Sequence, residues 1–251
     1  MQQRLDDLGF PIRAARPAAR VVSLVPSLTE AIAVTRRQAL VGATQWCTHP
    51  AGLDVPRVRG TKNPDVAAIV ALRPDIVLAN QEENRRLDVD RLRQAGVDVW
   101  VTVIRSVQES LASMRRMFLD GLTWPVPGWL DEAASAWAAP YEGPRRRAVI
   151  CVWRDPWMVV GSDTFTGDLA ARLGLDNAYA GQADRYPRVE LAGILARDPQ
   201  VIVLPDEPYA FTATDGPEAF PGHRVALVSG RDLTWYGPSL VTARARLAAR
   251  L

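Results

Sequence analysis

Residues Ile69–Asn80 read IVALRPDIVLAN, and residues Ile194–Asp206 read ILARDPQVIVLPD. The two stretches lie 125 positions apart and align without a gap from Ile69/Ile194 through Pro74/Pro199, with an apolar run following in both. Each has the form of a helix end, a proline that stops it and a short strand. Proline disfavours the α region for the residue before it, so the helix ends there. Ile76-Val77-Leu78 and Val201-Ile202-Val203-Leu204 are too short for helices and rich in β-branched residues, which marks them as buried strands. Strands apolar on both faces belong to parallel sheets covered by helices. Two such units, so alike and so far apart, predict two related α/β lobes in one chain.

Working outward, residues 8–14 are expected as a short edge strand, Arg20–Val25 as the first core strand and Ala39–Thr44 as the second. A loop follows from Gln45 to Pro64. Asp65 caps a helix ending at Leu72; after the strand Asp75–Asn80 come the loop Gln81-Glu82-Glu83-Asn84, a helix over 85–95 stopped by Gly96, and the strand Val97–Val103. Pro26-Ser27-Leu28-Thr29-Glu30 opens a helix in which Ser27 and Glu30 fit a capping box. In the second half the expected strands are Arg147–Trp153, Trp157–Val160, Gln200–Leu204 and Arg224–Val228. The helices are Gly167–Leu173, Glu190–Arg197 and an amphipathic Ser239–Arg250 that turns Leu240, Ala243 and Leu247 inward. Residues 106–122 and 128–140 are expected to be helical, broken at Thr123–Gly128, with no flexible Gly/Ser linker. The predicted organisation is a lobe over 1–105, a stiff helical connection over 106–146 and a lobe over 147–251, with strand–helix alternation throughout.

Composition narrows the function. Thirty Lys and Arg against 28 Asp and Glu leave a formal charge of +2, too balanced to argue for nucleic acid or an acidic membrane surface. Cys47 and Cys151 are too few for a disulfide scaffold, and no stretch approaches the ~20 apolar residues of a membrane span. The N-terminus has no apolar signal core, so the chain as written reads as cytoplasmic, the alternative being a signal removed or missed upstream of Met1. Phosphate-loop, dinucleotide, nucleophile-elbow and zinc-protease motifs are all missing. With His49 and His223 the only histidines, a metal site built on several imidazoles cannot be assembled; Cys47 and His49 with a distant carboxylate are the one weak alternative. No intrinsic metal or cofactor is expected.

The repeat says more. Ligands of open α/β sheets bind beyond the carboxyl ends of the strands. The loops after the two matching strands, Asn80–Asn84 and Asp206–Phe211, should therefore join those after Val25, Thr44 and Trp153 on one cleft. It would carry Ser27, Trp46, Trp153, Trp157, Tyr209 and Phe211, with Trp235 and Tyr236 close by. Thr61, Lys62, Asn80, Glu82 and Glu207 supply its polar groups. Large aromatics with a few polar groups describe a site for a bulky planar or macrocyclic ligand.

The stretches RVVSLVPSLTE, VGATQWCTHP, IVALRPDIVLAN and ELAGILARDPQVIVLP resemble, in order and spacing, the class III cobalamin and iron-chelate substrate-binding proteins of ABC importers. The resemblance spans about residue 8 to 251. It implies two Rossmann-like lobes, a rigid connecting helix and a ligand such as cobalamin, haem or a ferric chelate held between the lobes. Trp46 keeps an aromatic at a family contact position. Several positions depart from the pattern. Importers of this family dock on their permease through one glutamate per lobe, and the matching positions here are Ala67 and Ala192. The cobalamin-binding relative has tryptophans where this chain has Thr61 and Asn80, and its Pro-Arg near the end is Pro238-Ser239 here. The resulting expectation is a monomeric binding protein, with an ABC permease as a partner or, given the alanines and the missing signal, a cytosolic non-importing member. The alternatives are an enzyme on the same scaffold, with Asp163, Asp206, Glu207 or Asp232 as acid–base groups, and an interaction module without a small ligand.

Overall fold

The structure is a computed structural model that describes residues 3–13 and 16–251. The first half runs β1 (Val21–Ser23), α1 (Pro26–Arg36), β2 (Leu40–Ala43), β3 (Arg59–Gly60), β4 (Asn63–Pro64), α2 (Val66–Ala71), β5 (Ile76–Asn80), α3 (Arg86–Gln94) and β6 (Val99–Thr102). Next come α4 (Val107–Arg116), a π-helical turn over Met117–Gly121, and α5 (Trp129–Ala136). The second half runs β7 (Arg146–Trp153), β8 (Met158–Val159), α6 (Phe165–Ala171), β9 (Leu175–Asn177), α7 (Leu191–Leu195), β10 (Val201–Pro205), β11 (Val225–Val228), α8 (Gly230–Thr234) and α9 (Leu240–Ala248).

The chain divides into two compact units. One holds the chain up to Ile104 with Gln108–Asp131 and Tyr236–Pro238; the other holds Arg105–Val107, Glu132–Trp235 and Ser239–Leu251. Residues 106–146, expected as a separate connection, are thus shared between the units. Part of the reason is packing: a Cβ added at Gly121 would lie 2.7 Å from the buried Trp100 ring on β6, so the π turn sits hard against the first sheet.

Each unit has its own parallel sheet. In the first the order is β2-β1-β5-β6. In the second it is β11-β10-β7, with β9 pairing in parallel along the start of β7 and β8 antiparallel along its end. The repeated strands β5 and β10 occupy the same place, beside the first strand of their unit (β1, β7) on one side and the last (β6, β11) on the other. The match extends to single bonds. Asp75 N–H donates to Arg20 O at 2.8 Å, and its partner in the repeat, Gln200, donates to Arg147 O at 2.8 Å. Their side chains do the same work: Asp75 accepts from Ala19 and Arg20 N–H (2.8 and 2.9 Å), and Gln200 from Arg147 N–H (2.9 Å). Burial pushes the Asp75 carboxyl up, but the two N–H donors and Arg16 outweigh it and hold the group below its ordinary range.

The helix stop also repeats, by a route the proline rule did not foresee. Arg73 and Asp198, each just before the proline, are not extended but left-handed, both with φ +47°. Each N–H closes the last turn, Arg73 onto Val70 O and Asp198 onto Leu195 O, both at 2.9 Å. Above the sheets, Val77, Ala79, Val22, Leu24, Val99 and Val101 pack with Ile69 and Leu92 in one core. Val149, Cys151, Ile202 and Leu204 pack with Ile194, Trp157, Phe211 and Phe220 in the other. A fully buried aliphatic side chain of this kind contributes about 1.5–3 kcal/mol.

Four local expectations are corrected. Residues 8–13 form no strand; Leu5 and Pro11 make an isolated bridge, and residue 14 lies outside the described residues. The segment is instead gathered by the buried Asp6 carboxylate, which accepts from Leu8, Phe10 and Val101 N–H and pairs with Arg93 at 2.7 Å. The Ser27/Glu30 capping box does not form, because the cap is Val25 and Pro26 is already the first helical residue. The 45–64 loop contains the β3–β4 hairpin, too short to show a period. Residues 230–234, where no helix is expected from the sequence and 232–238 is expected as a loop, form α8, capped by the Ser229 side chain on Asp232 N–H.

Candidate ligand-binding site

In the first unit the carboxyl ends of the strands carry Ser27, Trp46, the Thr61-Lys62 turn and Asn80–Asn84. The loop bearing Trp46 is built from inside. Arg57 donates to the carbonyls of Thr44, Cys47 and Leu53 at 2.9–3.0 Å. Thr29 Oγ1 donates to the Cys47 thiol at 2.9 Å, and Thr44 Oγ1 lies 3.1 Å from it. Burial pushes this thiol up, away from the thiolate a metal needs. With its neighbour anchored, Trp46 is left 60% exposed. Its indole Nε1 would be 3.2 Å from a Cβ at Gly60, so the hairpin passes close beneath it.

Asn80 has a different job from the one expected. It is buried, its Nδ2 donates to Thr102 Oγ1 at 3.1 Å, and its Oδ1 accepts from Glu82 and Glu83 N–H at 2.8 and 3.3 Å. Asn84 returns the favour, accepting from Asn80 N–H and donating to Thr61 O, each at 2.9 Å. The two amides fold the loop and tie it to the hairpin. Lys62 Nζ donates to Glu82 O. Burial raises the Glu83 carboxyl, Lys62 pulls it back, and Glu82 adds to the rise. Ser27 is buried in the first turn of α1, where its carbonyl would lie 2.9 Å from a Cβ at Gly237.

In the second unit the aromatics form a ladder from surface to core. Trp153, 42% exposed at the end of β7, meets Tyr209 edge-on at 5.5 Å and 76°. Tyr209 meets Phe211 at 4.7 Å, Phe211 stacks on Trp157 at 6.0 Å and 7°, and Trp157 meets Phe220 at 5.1 Å. Trp157 and Phe211 are buried members of the core, so only Trp153 and Tyr209 present ring surface here. Trp235 and Tyr236 are buried as well, Tyr236 grouping with the first unit. Glu207 is half-buried against Gly230.

Sequence reasoning missed the polar clamp on this ladder. Tyr209 Oη donates to Asp215 at 2.7 Å, and Arg154 Nη1 donates to both Asp215 and Glu218. Donation to a carboxylate favours the protonated phenol, so Tyr209 is pushed up. The bond to Glu218 likewise holds Arg154 charged, and Glu218 is lowered because its hydrogen bonds and Arg154 outweigh its desolvation. Arg154, Asp215 and Glu218 are common residue types at no special spacing, so no sequence signal marked them. A groove of about 630 Å³ lies elsewhere in this unit, beside β11 and the end of α9, and reaches Asp206 and Phe211 but neither exposed ring. Among the described residues no group of three His, Cys, Asp or Glu is placed to hold a metal ion. The docking positions of the resemblance, Ala67 on α2 and Ala192 on α7, are both exposed.

No family model matches the chain. It is 26% identical over 198 residues to the vitamin B12-binding protein of Salmonella choleraesuis (strain SC-B67), covering 74% of this chain and 72% of that one. Among solved structures, the periplasmic vitamin B12-binding protein BtuF of Vibrio cholerae matches with a TM-score of 0.73 at 18% identity, over 93% of this chain and 96% of that one. The periplasmic haem-binding protein BhuT, solved with two haems, matches at 0.76 and 25% identity, over 92% and 97%. The α/β fold is that of these proteins, and the resemblance to the class III cobalamin and iron-chelate binding proteins is borne out. Both solved proteins are described as periplasmic, so the cytoplasmic expectation finds no support in them. Among the described residues no helix is long and apolar enough to cross a membrane.

Proposed function

We propose that this chain is a solute-binding protein for a bulky macrocyclic or metal-chelate ligand of the cobalamin, haem or ferric-chelate kind. The observation that carries the reading is the exposure of two tryptophans. Five of the eight are buried and Trp129 is half-buried, but Trp46 and Trp153, each at the carboxyl edge of its own sheet, are not. Tryptophan is highly buried on average. Leaving half of such a side chain in water forfeits about 2–3 kcal/mol that a flat apolar ligand would recover. Parallel sheets take ligands at this edge, and the relatives are named for binding vitamin B12 or haem. The ligand brings its own metal, and the chain needs no cofactor.

The exposed alanines support a member that does not dock on an importer through carboxylates. A methyl group at Ala67 and Ala192 cannot form the charge-assisted bonds that a permease arginine would take from glutamate. Tight binding of the wild type to an importer permease would overturn that part of the proposal and leave ligand binding standing.

The direct test is quenching of tryptophan fluorescence by cobalamin, haem and ferric siderophores, with an inner-filter control and calorimetry. One of them is expected to quench saturably at micromolar affinity or tighter, and Trp46→Ala to weaken it about tenfold, the scale of one buried aromatic contact. No saturable binding across the panel would refute the proposal.

A further inference from the structure

β11 is the last strand of its sheet, and its far edge is open. Ile202 N–H donates to Arg224 O and Asp206 N–H to Val228 O, so the main-chain groups of Arg224, Ala226 and Val228 face β10, and those of Val225 and Leu227 face away. Among the described residues no main-chain or side-chain group pairs with that outward edge. The sheet of the first unit differs. Its edge strand β2 is capped at Ala43 by Pro56 O and Val58 N–H, and β6 is capped at Val101 by Asp6 and Asp7. β11 has no lysine, proline or bulge of the kind that guards an edge. The groove of about 630 Å³ opens here. It is lined by Phe211 and Leu227, which share one core, and by Val228, which alternation sets on the opposite face. It therefore straddles the rim of the sheet, where a further strand would lie.

The charges along the groove say which strand. They are Asp206, Asp232, Arg246 and Arg250. Asp232 and Arg246 pair with each other at 3.6 Å. Asp206 takes the Gly230 N–H on one oxygen, but neither it nor Arg250 has an ion partner among the described residues, and both are exposed. They mark opposite ends of β11. Asp206 is bonded to Val228 at the carboxyl end, and Arg250 adjoins Leu251, whose carbonyl accepts from Arg224 just before the amino end. An antiparallel copy of β11 fits this layout. With a two-fold axis at Ala226, Val225 of each copy faces Leu227 of the other and their outward main-chain groups bond. The same axis brings Arg250 of each copy toward Asp206 of the other. A peptide of another protein would have to supply both charges in that order, whereas a second copy carries them. We infer that β11 is a self-pairing edge through which two copies of this chain join their sheets, in place of the monomer expected from the sequence.

So short an edge buries less than a standard interface of roughly 1,600 Å², and the dimer should be weak, with a Kd of about 10–100 µM. Sedimentation equilibrium of the whole chain from about 5 to 500 µM should show the mean mass climbing from one chain toward two. Amide exchange at Val225 and Leu227 should slow as concentration rises. Arg250→Glu and Asp206→Lys each set like charges together and should each weaken the dimer about tenfold at low ionic strength. An equimolar mixture of the two variants should recover it, because every charge then meets its opposite. A chain that stays monomeric at the highest concentration overturns the inference, whether or not an extended peptide of another protein takes the edge. So does a dimer whose protected amides lie elsewhere, one that keeps its affinity in both variants, or a mixture that associates no better than its parts.

Discussion

Gly230 and Gly193 offer a paired test in which two effects of the same substitution compete. Both glycines lie in short helices, and neither has a left-handed φ. Propensity alone says that alanine stabilises both by about 0.5–1 kcal/mol. Space says otherwise at Gly230, where an added Cβ would lie 2.3 Å from Glu207 Cγ, 2.7 Å from Glu207 O and 2.9 Å from Glu207 N. The first contact belongs to a side chain that can turn away. The other two belong to backbone, which must shift by several tenths of an ångström. Overpacking of that kind costs about 1–3 kcal/mol and outweighs the propensity gain. At Gly193 the nearest atom, Tyr179 Oη, is 3.9 Å away, so the gain is realised in full. Urea unfolding followed by fluorescence should place the Gly230→Ala midpoint below wild type and the Gly193→Ala midpoint above it, with unchanged slopes. For a chain of this length each kcal/mol moves the melting temperature by about 2–4 °C. Adding Glu207→Ala to Gly230→Ala removes only the side-chain contact, so the double variant should remain destabilised. A Gly230→Ala protein as stable as wild type would refute the reasoning.

Four further substitutions probe the polar scaffold. Asp6→Ala removes a buried acceptor of three N–H groups and the partner of Arg93; the loss should be about 3–5 kcal/mol in unfolding free energy, with faster amide exchange at Phe10 and Val101. Glu83 is raised by burial, so the stability linked to its proton is present below its ordinary value of 4.5 and lost as pH rises through the folded value. Glu83→Gln should accordingly melt higher than wild type at neutral pH, and a pH series in which the advantage fails to shrink toward pH 4 would contradict this. Asp75 is lowered, so its contribution is present above 3.8 and lost as pH falls through the folded value. Asp75→Ala should cost about 2 kcal/mol at neutral pH as a charged acceptor, and Gln200→Ala, its neutral counterpart in the repeat, about 1 kcal/mol; denaturation at two pH values separates them.

The candidate site was only partly legible. The carboxyl-edge loops follow from strand order, and Trp46, Trp153 and Tyr209 do reach the surface of their loops. Asn80, Trp157 and Phe211 stand in the same loops and go inward, because Thr102, the Glu82–Glu83 backbone and Phe220 are there to receive them. Whether a loop aromatic faces water depends on partners distant in the chain, such as Phe220 for Trp157, and no local pattern carries that information. The Arg154–Asp215–Glu218 clamp is invisible for the same reason, since its members lie 61 and 64 positions apart.

What the sequence determined by itself is the pair of helix–proline–strand repeats and the parallel sheets they imply, because proline, β-branched runs and helical spacing act within a few residues. Even the Asp75/Gln200 correspondence was already present in the gapless alignment, although the bonds it makes were not. Elements of two or three residues, the β3–β4 hairpin and β9, needed the tertiary structure, because they are too short to carry a period and exist only where a neighbour pairs with them. The left-handed residues before both prolines belong there too: Arg73 and Asp198 sit at φ +47° with their N–H groups closing the helix ends on Val70 O and Leu195 O, a geometry that the residue types before the prolines do not announce.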